Sequence, residues 1–327
     1  MSFQVRHKRK LIVSILFAVV GYAAWVIANE AEAVFASATR AGLPTLAFVC
    51  ALSLFNYLVR FGRWHWYLSS MRHRAALLEH LRIYLSGFAL TTTPGKTGEA
   101  IRSLFLKEHG VPYTTSLAAL GAERLADVIS VSLIAAGGFV FFPQYSAVAL
   151  LLLFGSAMVV ATLQFRALRE RLHRLVRACF RGRLLRAAEY VVSLLDRVSE
   201  LTGAKGTLVG VFLGLLAWGA EAFAFWCLVL ALGYQLPLLL VASVYALSTL
   251  AGAVSSLPGG LGGAEAAMGL MLLALGLSGP DAVSATLLCR LATLWLAVAI
   301  GAIALGRQHA AARRAHEVQT EDVPAGQ

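Results

Sequence analysis

Residues 93–100 read T-P-G-K-T-G-E-A, and residues 257–266 read L-P-G-G-L-G-G-A-E-A. In each stretch a Pro-Gly pair interrupts a long apolar run and a glutamate follows within a few residues. Proline removes a backbone donor and glycine admits close backbone approach, so both stretches predict broken helices. From Glu99 and Glu265 onward the flanking sequence aligns without a gap. Eleven of forty positions are identical over 99–138 against 265–304, with Gly110 matching Gly276 and Arg124 matching Arg290. The pattern predicts an internal repeat.

The surroundings of these breaks are apolar. The chain has 327 residues, 59% hydrophobic and 14% charged, with a mean hydropathy of +0.74. Soluble domains carry about 25% charged residues. Hydrophobic blocks lie near 11–28, 43–61, 77–93, 115–141, 146–164, 207–232, 236–257 and 281–306. Most approach the roughly 20 residues that cross about 30 Å of hydrocarbon. The fold class is therefore an all-α polytopic integral membrane protein, and a soluble enzyme, a secreted scaffold or a DNA-binding domain is excluded for the chain as a whole. Residues 11–28 exceed the apolar core of a signal peptide and predict an uncleaved first helix.

Charge orients the blocks. The net charge of +11 suits basic loops on the cytoplasmic side better than nucleic acid. Arg63, Arg72, Arg74 and Arg82 mark one inner connection. The 166–205 segment, with ten Lys and Arg, marks another and predicts a basic surface segment on anionic headgroups. Counting crossings between these anchors leaves 77–93 and 236–257 without a full passage. The expectation is about six full spans plus two re-entrant helical hairpins in an inverted repeat. One hairpin returns along 97–109 and the other along 263–276. Repeat one covers about 43–141, the cytoplasmic basic segment 166–205 and repeat two about 207–306, within one domain of residues 1–310. Residues 311–327 form a loose cytoplasmic tail, and both termini lie in the cytoplasm of a bacterial inner membrane.

Charged residues at bilayer depth cost about 2.5–3.5 kcal/mol each on insertion scales, so each should face the interior and have a partner. Lys96, Arg102, Arg124 and Arg290 supply positive charge, and Glu99, Glu123, Asp127, Glu221 and Glu265 negative charge, with Glu221, which has no counterpart in the first half, read as structural. Gly95, Gly98, Gly259, Gly260 and Gly262 would let a headgroup approach helix N-termini, which favour anions. Blander roles are available: Arg124 and Asp127 can pair along one helix, and early glutamates can serve the helix dipole. The four cysteines form no C-x-x-C, no His/carboxylate spacing suggests a metal, and no catalytic set or cofactor is expected.

The runs P-G-K-T-G-E-A-I-R (94–102), E-R-L-A-D (123–127) and S-L-P-G-G-L-G-G-A-E (256–265), with Arg290, resemble the flippase-like membrane domain of lysylphosphatidylglycerol synthases. The resemblance covers about 10–306. It implies movement of a lipid, such as an aminoacylated phospholipid, between leaflets, without the aminoacyl-transferase domain of bifunctional members. Membrane lipids are then the partners, and a separate lipid-synthesising enzyme is a further candidate. The rival expectation is a membrane-embedded transferase, or an accessory subunit, in glycolipid, polyprenyl-lipid or hopanoid metabolism.

Overall fold

The computed structural model describes residues 31–73, 76–138, 141, 143–255 and 257–321. The expected first helix at 11–28 lies outside them. All regular structure among the described residues is helical. In chain order the α-helices are α1 (Ala31–Ala41), α2 (Leu43–Ser70), α3 (Leu77–Ser86), α4 (Arg102–Glu108), α5 (Tyr113–Ala136), α6 (Pro143–Gln164) and α7 (Arg166–Cys179). They continue as α8 (Gly182–Leu201), α9 (Ala204–Ala231), α10 (Leu238–Val254), α11 (Gly263–Ala274), α12 (Gly279–Arg290) and α13 (Leu296–Glu321).

Among the described residues, three stretches are long and apolar enough to cross a bilayer: Leu43–Ser70, Ala204–Ala231 and Gly279–Gln308. The 24-residue α5 has the length for another but carries Glu123, Arg124 and Asp127. Helix α6 is apolar over Leu153–Gln164, and α10 and α11 are shorter apolar helices. The protein is thus a multi-pass helical membrane protein.

Helices α2 and α9, of 28 residues each, cross face to face. Phe48 meets Phe223 at a ring separation of 6.4 Å, Arg60 stacks over Trp218 at 5.2 Å, and Arg63 donates to the Gly210 carbonyl at 3.2 Å. Ascending α2 therefore means descending α9, so the two run antiparallel. Gly210 and Gly214 permit the contact: a Cβ at Gly210 would lie 2.2 Å from the Tyr67 hydroxyl, and one at Gly214 2.2 Å from Ser130 Oγ.

Each of these long helices is followed by a helical hairpin, starting at Leu77 after Ser70 and at Leu238 after Ala231. In the first, α3 runs into a 3₁₀ turn at Gly87–Leu90, and the chain returns through a second, Pro94–Ile101, into α4. The return limb expected as one helix over 97–109 is thus 3₁₀ for its first half. The limbs pack so tightly that a Cβ on Gly98 would sit 2.4 Å from Leu90 Cβ. In the second hairpin α10 turns at Pro258–Gly260 into α11, and Gly260 and Gly262 adopt φ of 69° and 85°. Both return limbs end at a left-handed glycine, Gly110 (φ 78°) and Gly276 (φ 90°), the pair matched in the sequence. The tips of the hairpins touch: a Cβ on Gly259 would lie 3.5 Å from Thr92 Cα.

Around this centre α13 lies against the first hairpin. A Cβ on Gly301 would come within 2.2 Å of the Ala89 backbone nitrogen, a fixed atom that cannot swing aside. Gly301→Ala should therefore push α13 off the hairpin and cost about 1–3 kcal/mol, the range for overpacking. A thermal unfolding midpoint in detergent equal to that of the parent chain would count against this packing.

Candidate functional site

The polar interior is built first from α2. Arg60 and Arg63, one turn apart, project into the protein, and Arg63 is fully buried. Opposite them α5 presents Glu123, Arg124 and Asp127, and the first hairpin adds Glu99 and Arg102. Arg63 meets Asp127 at 2.5 Å, and Arg102 meets Glu99 at 2.7 Å. Arg60 reaches Glu123 at 3.4 Å and Asp127 at 3.6 Å. Arg102 reaches Glu123 at 3.4 Å, and Arg124 lies 3.3–3.4 Å from Glu99, Glu123 and Asp127. Tyr84 donates to Glu123 at 3.0 Å and Trp218 to Asp127 at 2.9 Å. Arg102 also lies over the Tyr84 ring at 4.6 Å. Four guanidinium groups thus face three carboxylates. The cluster carries one net positive charge, and Arg124, 30% exposed, is its most open member.

The second half holds a smaller counterpart. Arg290 pairs with Glu265 at 2.6 Å and donates to the Gly259 carbonyl at 2.8 Å. The other Glu265 oxygen accepts from the Gly262 amide at 2.7 Å, capping α11. So the matched pairs Glu99/Arg124 and Glu265/Arg290 each form an ion pair. Directly after Arg290 the helix loosens into a π-turn, Leu291–Trp295, and the Thr293 carbonyl there accepts from the Tyr57 hydroxyl at 2.5 Å. The Tyr245 hydroxyl donates to Glu221 of α9.

Between the halves, at the hairpin tips, lies a cavity of about 60 Å³. Tyr57, Arg60, Thr91 and Glu99 line it from the first half, and Glu221, Tyr245, Gly259, Arg290 and Thr293 from the second. Its volume suits a few water molecules. Arg60 Nε and Thr91 Oγ1, both on buried residues that line it, have no hydrogen-bond partner among the described residues. The cavity lining offers a guest both cationic and anionic side chains, Arg60 and Arg290 with Glu99 and Glu221. A larger open notch of about 490 Å³ at the α9–α10 connection, lined by Trp226, Leu230 and Gln235, has no ionisable side chain.

Of the residues singled out in the sequence, Glu99, Gly259 and Arg290 line the cavity, while Arg102, Glu123, Arg124 and Asp127 form the ionic cluster beside it. Glu265 stands behind Arg290. Gly98, Gly260 and Gly262 shape backbone: Gly98 receives Leu90, Gly260 receives Gly252, and Gly262 caps α11. The side chain of Lys96 lies outside the described ones, and Gly95 is described only as part of the 3₁₀ turn. One reading is corrected. Arg63, taken as a marker of the cytoplasmic face, is a buried member of the cluster, because Asp127 and Glu123 hold it inside. Arg60, which was missed, lies inside the apolar block at 43–61 and is held by Glu123 and Asp127, more than 60 residues away. Two arginines three residues apart, aligned on one helix face, were the available signal. No group of His, Cys, Asp and Glu among the described residues could hold a metal ion.

A multi-pass helical membrane protein with paired broken hairpins and a charged interior is the class these features define. The chain belongs to the lysylphosphatidylglycerol synthase TM region family, which matches residues 11–301. It is similar to a UPF0104 membrane protein of Pyrococcus horikoshii, 24% identical over 291 residues, 81% of this chain and 87% of the relative. A UPF0104 membrane protein of Methanothermobacter thermautotrophicus is 33% identical over 99 residues, 30% of each chain. These relatives are archaeal.

Removing one partner from a buried ion cluster costs about 3–5 kcal/mol, because the other is left uncompensated. Asp127→Asn would leave four guanidinium groups facing two carboxylates and should lower the unfolding midpoint in detergent sharply. Adding Arg63→Leu in the same chain should recover part of the loss. Two independent, additive losses would show that Arg63 and Asp127 do not act as a pair.

Proposed function

We propose that this protein moves a polar lipid, an anionic or aminoacylated phospholipid or a related lipid, from one leaflet to the other. The observation that carries the reading is the small polar cavity shared by both halves, lined by Arg60, Thr91 and Glu99 from one and by Glu221, Tyr245 and Arg290 from the other. Secondary transporters commonly bind at the interface of inverted repeats, near the midplane, on broken helices. The antiparallel α2 and α9, each leading into a hairpin whose tip meets the other, support an inverted repeat of re-entrant hairpins.

In this reading the headgroup occupies an enlarged cavity between the tips while the acyl chains stay in hydrocarbon. Arg60, Arg124 and Arg290 neutralise its phosphate, and Glu99 and Glu221 receive its hydroxyl or ammonium groups. At about 60 Å³ the cavity is too small for a headgroup, so the present arrangement corresponds to the closed form. Opening requires the Gly259–Thr92 contact and the Arg290–Gly259 hydrogen bond to part. One half rocking against the other would expose the cavity to each leaflet in turn.

The test is reconstitution in liposomes of mixed polar lipids, following headgroup accessibility in each leaflet. Glu99→Gln, Arg124→Ala, Glu265→Gln and Arg290→Ala, each checked for an unchanged gel-filtration profile, should slow leaflet exchange of one lipid class at least about tenfold, the kinetic equivalent of 1.4 kcal/mol. If the wild-type chain moves no lipid faster than empty vesicles do, the translocator reading fails, and a membrane-embedded transferase or accessory subunit takes its place.

A further inference from the structure

Helices α7 and α8 form a hairpin outside the interior just described. Its inner faces are joined by Asp196, which receives Arg169 at 3.1 Å and His173 at 2.8 Å. Both ends are tied closely to apolar helices. Helix α6 stops at Gln164 and α7 starts at Arg166, while α8 stops at Leu201 and α9, long enough to span, starts at Ala204. Connections of one or two residues cannot carry the hairpin away from the surface of the bilayer.

The outward side of α7 is apolar. Phe165 (63% exposed), Leu168, Leu172, Leu175 and Cys179 recur at helical spacing along one stripe. On α8, Leu184 and Val191 are exposed two turns apart. Charge is equally one-sided: residues 166–201 contain nine arginines against four acidic residues. Arg166, Arg169, Arg177 and Arg197 are ion-paired within the hairpin. Arg171, Arg174, Arg181, Arg183 and Arg186 are exposed and make no ion pair among the described residues.

We infer that the α7–α8 hairpin is an interfacial anchor that lies on the bilayer and binds the anionic headgroups of the adjoining leaflet. An apolar stripe bordered by arginines is what a helix in the headgroup plane needs, the stripe entering the acyl boundary while the guanidinium groups meet phosphates. The five arginines that make no ion pair among the described residues fit a negatively charged surface. The bilayer occupies this face because the short tethers hold it there, whereas a soluble acidic protein would have to displace lipid. The assignment is independent of what the interior transports.

The full-length chain, with Cys50, Cys227 and Cys289 replaced by alanine, carries a fluorophore on the exposed Cys179. It is reconstituted in phosphatidylcholine vesicles with or without phosphatidylglycerol, each doped with lipid bearing a headgroup-depth quencher. Quenching should be severalfold stronger with phosphatidylglycerol. It should fall in the variant Arg171→Glu, Arg174→Glu, Arg183→Glu, and at about 1 M salt, where screening shortens to about 3 Å. Hydrogen exchange over 165–191 in the unmodified chain, slower with phosphatidylglycerol, provides the same reading if the substituted chain folds poorly. Equal quenching and equal exchange in both vesicles overturns the inference. So does shielding that appears only on addition of a soluble acidic protein fraction, which would make this a protein-docking face.

Discussion

The structure depends on a constraint that the bilayer imposes: a charge taken to depth must have a counter-charge within reach. Seven ionised groups, Arg60, Arg63, Arg102, Arg124, Glu99, Glu123 and Asp127, meet that demand together. They come from α2, the first hairpin and α5, so none of these elements can shift alone without leaving a charge unpaired. Buried ion pairs add little to stability against apolar replacements, but breaking one is expensive. Their effect here is to fix how three segments register against one another. The α2–α9 crossing, with Trp218 donating to Asp127, ties the second half to the same network.

The two halves solve the problem of a broken helix differently. In the first, Pro94 opens a 3₁₀ limb, and Gly98 lets it lie against Leu90. In the second, left-handed glycines turn the chain sharply and Glu265 caps the helix that follows. Arg290 then secures the turn through the Gly259 carbonyl. A helix N-terminus already capped by a carboxylate of its own chain is a weaker anion site than a bare one. The arginines lining the cavity, Arg60 and Arg290, are therefore better anion partners than the helix ends.

Much of this was legible in the sequence, because the signals were strong and local. Apolar block length identified a membrane protein, and Pro-Gly pairs located both hairpin turns. The gapless alignment matched Glu99 with Glu265 and Arg124 with Arg290, and the structure adds that each matched glutamate meets the arginine of its own half. Contacts between segments far apart in sequence were less accessible. Arg63 looks like a boundary charge until Asp127, 64 residues away, is seen to meet it. Tyr84 and Tyr245, each donating to a buried glutamate, escaped notice because the halves drift out of register ahead of the breaks. The 3₁₀ character of the first return limb has no sequence signature beyond Pro94 itself.

The π-turn after Arg290 has a consequence for energetics. Its matched residue Arg124 continues in uninterrupted α-helix and meets three carboxylates, whereas Arg290 meets one carboxylate and one carbonyl. Two halves with identical chemistry could trade conformations at no net cost, and the two end states would be equally populated. In the proposed cycle these halves would not, since Arg124 meets three carboxylates and Arg290 one. In such a cycle the pseudo-symmetry would be one of path and not of energy, and one end state would be the resting state.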